Sequence, residues 1–419
     1  MTNEQTILLD RIIKFYSQSH DFNGMPVSKK LSGDLDPADI IALIRADKAD
    51  LVRGDMHPNP HIKAFDAEPI ETQIEKIEMR GLDGCLYPSP AVLAEKHADA
   101  VELSAGPYTR ALQLGAPQLA FRAFDLRALE WYRNDPRFKL IVDDIHGRVV
   151  QKKDTQIEGR AIVRDQLDFF EFGFAYNDKL DRAVAAFIRY LHDLPEPLQA
   201  EFHRYELDGK FTLHPDFYRT QIVGDWPEKI SIYDAFLEEK KHINAICTLI
   251  GKPKIFRTEF PDYERPDGFG ILLRPTKKEY RDFSLMLDQL LSDDINKKFF
   301  ENDIPGSKML TDDEGNKVPQ PIGTITLLET WIKKFFRPKD QEPMDKMFSN
   351  LRAVRNERMK PAHKIEDNEF DQQYVKKQRE LISKAYGAVH TLRMVLENHP
   401  KASAYEVPDY IKKADVWTY

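Results

Sequence analysis

From Ser231 onward the hydrophobic period of the chain is helical almost without interruption, and this constrains the fold more than any other feature. An amphipathic helix must bury its apolar stripe against a neighbour, so successive helices of this kind imply a bundle. The period predicts a helix over Ser231–Gly251, capped by Ser231 and stopped by Gly251. Further helices are expected over Lys277–Phe300, Thr324–Phe336, Met344–Lys360 and Asn368–Glu397. The break from Asn302 to Pro321 is rich in Gly, Pro and Asp and reads as a long exposed loop. Residues 231–398 are therefore expected as a helical domain whose part from 277 to 398 is an antiparallel bundle. Residues 399–419, which lack helical periodicity, form a tail.

The first 65 residues read as helix, helix, helix, strand. Ile7, Leu8, Ile12, Ile13 and Tyr16 share a face of the first helix, and Val27–Leu31 is short enough to be a second. Asp36 caps the third with Pro37 at its first position, and Asp50-Leu-Val-Arg is a strand. This order resembles a winged-helix module. Its eight Lys/Arg against nine Asp/Glu over residues 1–63 favour a protein contact over DNA. Residues 66–230 mix strands (Gly84–Pro88, Gln118–Phe124, Phe138–Asp143, Arg148–Val150) with short helices (Leu126–Tyr132, Leu180–Leu191) and form a mixed α/β region. The fold class expected is thus α+β and multi-domain, divided at about 65 and 230.

Composition removes several function classes. The chain of 419 residues is 42% apolar, with 25 Phe, 16 Tyr and 4 Trp, which is ample for folded cores. No apolar run reaches the roughly 18 residues of a membrane span, and residues 1–22 lack the pattern of a secretory signal, so a cytoplasmic protein without membrane contact is expected. Two cysteines, Cys85 and Cys247, supply neither a disulfide framework nor a zinc site by themselves. No P-loop and no Gly-x-Ser-x-Gly elbow is present, which argues against the common nucleotide-driven motors and hydrolases. Asp55, His57 and His61 are metal-ligand types, but two prolines keep them off a helix, and a rigid connector is the better reading. Asp143, Asp144 and His146 read as a hairpin turn. No cofactor or metal is expected.

The informative segment is Leu351-Arg-Ala-Val-Arg-Asn-Glu-Arg-Met-Lys-Pro-Ala-His363. Met344, Met347, Phe348, Leu351 and Val354 define one apolar stripe. Four residues further along each row stand Arg355 and Arg358, so two arginines continue a face that should be buried. Such cations must be paired or face a cleft that holds anions. Pro361 ends or kinks the helix, and His363 follows at the break. From Lys333 to Lys364 there are ten Lys/Arg and four Asp/Glu, a net +6 in a chain whose total is −8. Local positive charge of this kind suits a phosphate-binding patch.

Arg358-Met-Lys-Pro-Ala-His363 resembles the Arg-x4-His motif of HEPN-type helical domains, and Arg355-Asn356 resembles the Arg-Asn that often leads it. The resemblance covers about 120 residues, 277–398. It departs from the pattern at Pro361, and two arginines compete for one role. It implies a metal-independent endoribonuclease of a bacterial defence or toxin type, active as a homodimer through the C-terminal bundle. Arg355, Asn356, Arg358 and His363 are then the catalytic residues, and Arg352, Lys360 and Lys364 contact the RNA. An imidazole removes the proton of a 2′-hydroxyl, and arginine neutralises the phosphate as charge builds. Two alternatives stand beside this. In a non-catalytic dimerising scaffold, Arg355 and Arg358 form buried ion pairs, for example with Glu380 or Asp371. In a DNA-binding regulator, the N-terminal module carries the function.

Overall fold

The structure, a computed structural model, describes the chain apart from residues 29–34, 98–102, 144, 154–161, 180, 226–228, 262–263, 312–315, 360–366 and 418–419. It is mixed α+β, 49% helical and 16% strand, with a helical C-terminal region. The chain forms two compact units. The first comprises Met1–Lys139 and Ile145–Trp226, the second Leu140–Asp144 and Pro227–Tyr419. The main junction of the units falls between Trp226 and Pro227, and residue 65 lies inside the first. Among the described residues no helix is long and apolar enough to cross a membrane.

The first unit begins with α1 (Asn3–Gln18), β1 (Met25–Ser28), α2 (Pro37–Arg45), β2 (Ala49–Val52), α3 (Ile70–Arg80) and β3 (Asp83–Pro88). Thr2 and Gln5 form a capping box on α1, and Asp36 accepts from the Ala38 amide to cap α2 as its position predicts. Leu8, Leu9, Ile12, Ile13 and Tyr16 are the buried residues of α1; Ile7, expected among them, is exposed. The strands form an antiparallel sheet in the order β1-β3-β2. Its central strand comes from beyond residue 65, and Leu86 at its middle is fully buried. Where a second helix was expected at Val27–Leu31, Met25–Ser28 is a strand, and residues 29–31 lie outside the described part. As an edge strand β1 accommodates Pro26, which has no N–H to donate.

The remainder of the unit contains α4 (Pro90–Lys96), α5 (Pro107–Gln113), β4 (Phe121–Phe124), α6 (Glu130–Asn134), β5 (Phe138–Val142), β6 (His146–Gln151), β7 (Phe169–Tyr176), β8 (Arg182–Phe187), α7 (Ile188–His192), α8 (Glu196–His203), β9 (Thr212–Leu213) and α9 (Pro215–Tyr218). Leu140–Val142 at the end of β5 belongs to the second unit. Antiparallel pairing links β4-β8-β7-β6, and β9 adds to β7. The helix expected over Leu180–Leu191 is β8 followed by the single turn and a half of α7. Ala183, Val184, Ala185, Ala186 and Phe187 are all buried, and a strand covered on both faces shows no alternation to reveal it.

The second unit holds β10 (Ile230–Ser231), α10 (Ile232–Leu249), α11 (Lys277–Leu291), β11 (Ser307–Thr311), β12 (Lys317–Pro321), α12 (Thr324–Phe335), α13 (Glu342–Met359), α14 (Gln373–Glu397), α15 (Asp409–Lys412) and β13 (Val416–Trp417). Helix α14 packs on α10, α11 and α13, and α13 also meets α11 and α12. The loop expected at Asn302–Pro321 contains an antiparallel hairpin, β11 with β12, registered Ser307↔Pro321 to Thr311↔Lys317. Every described residue of its strands is exposed, so backbone pairing without core burial defines it, and no apolar alternation announces it. Beyond Glu397 the expected tail carries α15 and β13, the latter pairing parallel with β10.

Gly268-Phe-Gly270, the nearest sequence approach to a phosphate loop, has a packing explanation. A Cβ on Gly270 would stand 2.2 Å from the Val142 carbonyl oxygen. That carbonyl accepts from Arg265 at 3.2 Å, and the Gly270 carbonyl accepts from Gln378 of α14 at 2.8 Å, so neither strand of the contact is free to retreat. Gly270→Ala is expected to destabilise the second unit by about 1–3 kcal/mol, the usual range for overpacking. Urea denaturation followed by circular dichroism checks it.

Candidate functional site

The stripe read from α13 is the buried one: Met344, Met347, Phe348, Leu351 and Val354 face the bundle. Arg355 and Arg358, next along its rows, are half-buried and point at the end of α11. Arg358 donates through Nη1 to Asp288 Oδ2 at 2.8 Å and to Asp293 Oδ2. Arg355 donates through Nη1 to Asp293 Oδ1 at 2.8 Å and lies 3.7 Å from Asp288 Oδ2. The arginines are therefore paired, and their partners are Asp288 and Asp293 instead of Glu380 or Asp371. One sequence signal pointed there: Asp288 interrupts the apolar face of Tyr280, Phe283, Leu287 and Leu291, and a carboxylate inside such a face requires a cation.

The engagement is one-sided. Among the described residues, Nε and Nη2 of both guanidinium groups make no hydrogen bond, while the fully buried Asp288 has an Oδ1 without a partner. Burial raises the Asp293 pKa, but the hydrogen bond from Arg358 and the charge of Arg355 outweigh it and hold the carboxyl below its ordinary value. The same two carboxylates push the Arg358 pKa further up.

Asn356 is exposed on the helix beside them. Arg352 is exposed and bonds Glu329 of α12, which also accepts from Lys333. Lys360, Pro361, His363 and Lys364 lie outside the described residues. The net +6 counted along the sequence is therefore smaller in space, because Glu329 of α12, Asp288 of α11 and Asp293 just beyond α11 face four of its cations.

The other sequence candidates separate. Asp55 pairs with Lys76 and Arg80, the His57 ring contacts the backbone of Asn59, and His61 joins neither in a ligand group among the described residues. Asp143 lies 4.0 Å from Arg265, His146 sits in the β6–β7 ladder opposite Gly173, and Asp144 is outside the described part. Burial pushes the thiols of Cys85 and Cys247 up to about 12, which removes both as nucleophiles at neutral pH. Compared with known protein families, curated proteins and solved structures, the chain matches none.

The Asp293 shift predicts a pH dependence. Its folded pKa lies below the unfolded value near 3.9, so its contribution is complete above about pH 5 and is lost as pH falls through the folded value. The urea midpoint should fall between about pH 5 and pH 3. Asp293→Asn should lower the midpoint at pH 7 and flatten that decline.

Proposed function

We propose that residues 277–398 of the second unit form a HEPN-type, metal-independent endoribonuclease of a bacterial defence or toxin kind. The observation that carries the reading is the one-sided anchoring of Arg355 and Arg358: carboxylates orient each fork through Nη1 and leave Nε and Nη2 for a phosphate. Five residues beyond Arg358, His363 takes the proton of an RNA 2′-hydroxyl. The 2′-oxygen attacks phosphorus, the 5′-oxygen leaves and is protonated, and a 2′,3′-cyclic phosphate and a 5′-hydroxyl result. Arg355 and Arg358 neutralise the non-bridging oxygens as charge builds, Asn356 positions the phosphate, and Arg352, Lys360 and Lys364 follow the RNA backbone. A cytoplasmic homodimer formed through the bundle completes the reading. The N-terminal three helices and their β1-β3-β2 sheet serve in it as a winged-helix-like protein-contact module.

A second reading has its own observation. Asp288 and Asp293 already balance the charge of both arginines, which is what a dimerising scaffold needs and no more. Purified protein incubated with labelled RNAs in EDTA separates the two. The nuclease reading expects cleavage to cyclic-phosphate ends, reduced about 10²–10⁴-fold by His363→Ala. It also expects a loss in Arg358→Lys, whose ammonium cannot reproduce the fork. Absence of cleavage by the folded wild type across varied RNAs, with dimers seen by light scattering, establishes the scaffold instead.

A further inference from the structure

One group of metal-ligand side chains in the first unit belongs to neither reading. His20 and Asp21 follow the end of α1, and His192 and Asp193 end α7. One ligand atom from each lies within 4.8 Å of all the others. His192 is the decisive member. Its side chain is 10% exposed, and its buried Nε2 has no hydrogen-bond partner. An imidazole nitrogen in that state costs free energy unless something occupies it. Asp193 Oδ1 stands 3.6 Å from it, too far for a hydrogen bond and suited to a shared ion.

We propose that His20, Asp21, His192 and Asp193 bind one divalent transition-metal ion, with Zn²⁺ the ion that fits their number and chemistry. Two imidazoles with two carboxylates supply four ligands of types zinc accepts, the number of its tetrahedral coordination. Zn–N and Zn–O bonds of about 2.0–2.2 Å give ligand–ligand edges near 3.3 Å, so each atom moves inward by about 1 Å or less. The exposed His20 ring moves most freely.

The surroundings support the ligands. The other ring nitrogen of His192, Nδ1, lies 3.4 Å from the Thr109 hydroxyl, a contact that favours Nε2 as the ligating atom. Arg189 bonds Asp21 Oδ2 at 2.6 Å, and Asp21 Oδ1 lies 3.0 Å from His20 Nδ1, a contact inside the group that the ion would replace. The turn itself is fixed: Gln118 donates to the Asp21 carbonyl, and Phe22, at φ +57°, packs its ring 5.4 Å from that of His192. Bound zinc would thus join the end of α1 to the end of α7, across more than 160 residues of chain, and stabilise the first unit without taking part in RNA chemistry.

The test uses the untagged full chain, stripped with EDTA and dialysed. Calorimetric titration with ZnCl₂ should show one tight equivalent. At a free concentration of about 100 times Kd, the melting temperature should rise by about 5–10 °C. His20→Ala alters an exposed side chain and leaves the fold intact, yet should weaken binding by about 100-fold or more and abolish the thermal shift. Asp193→Asn should weaken it likewise. His57→Ala with His61→Ala should leave it unchanged. Absence of a stoichiometric site in the wild type, or a His20→Ala variant that binds zinc as tightly, overturns the proposal.

Discussion

Charge buried inside the helical unit is the constraint on which the rest of that unit depends. Lys240 of α10 meets Asp294 at 2.9 Å with both side chains almost fully buried. Glu239, next to it, accepts from Arg393 and His390 of α14. Asp288 of α11 meets Arg358 of α13. Taking any one of these ions out of water alone costs several kcal/mol, and only its partner offsets that cost. A helix shifted along its neighbour by one turn would leave a charge unpaired. These pairs therefore contribute register more than net stability. Burial pushes the Lys240 pKa down while Asp294 pulls it back, and the pair remains a fixed point between α10 and the segment after α11.

The same pairs frame the question of what the arginines do. Arg355 and Arg358 sit where a phosphate-binding cleft and an internal lock have the same first requirement, a carboxylate to hold the guanidinium in place. The two differ in what the remaining N–H groups meet. A lock uses both sides of the fork, whereas a site keeps one side open. Both forks here are held by Nη1 alone among the described residues.

The first unit is built on different physics. Its two sheets take their order from strands far apart in sequence: β3 inserts between β1 and β2, and β8 lies between β4 and β7. Long-range pairing of this kind brings side chains from distant elements to one place, as it does for His20 and His192. Neither histidine stands in a ligand spacing along the chain, so their meeting has no sequence signal.

How much was legible follows from how local each cause is. The helices from residue 231 onward could be read in kind because a 3.6-residue period is a property of neighbours in sequence, and the α13 stripe predicted its buried face residue by residue; their ends were less local, since the helix expected over Lys277–Phe300 stops at Leu291 and that over Asn368–Glu397 begins at Gln373. The Asp36 cap and Pro37 were readable for the same reason. The strand over Arg182–Phe187 was not, because burial on both faces removes alternation and leaves a run that suits a helix equally well. The exposed hairpin at 307–321 was not, because it has no buried face at all. Sequence by itself determined that Arg355 and Arg358 lie on the continuation of a buried face and must be paired or face anions. Only the tertiary structure decided that Asp288 and Asp293 meet them, because a charge's partner depends on how separate helices pack, and no spacing within one helix contains that information.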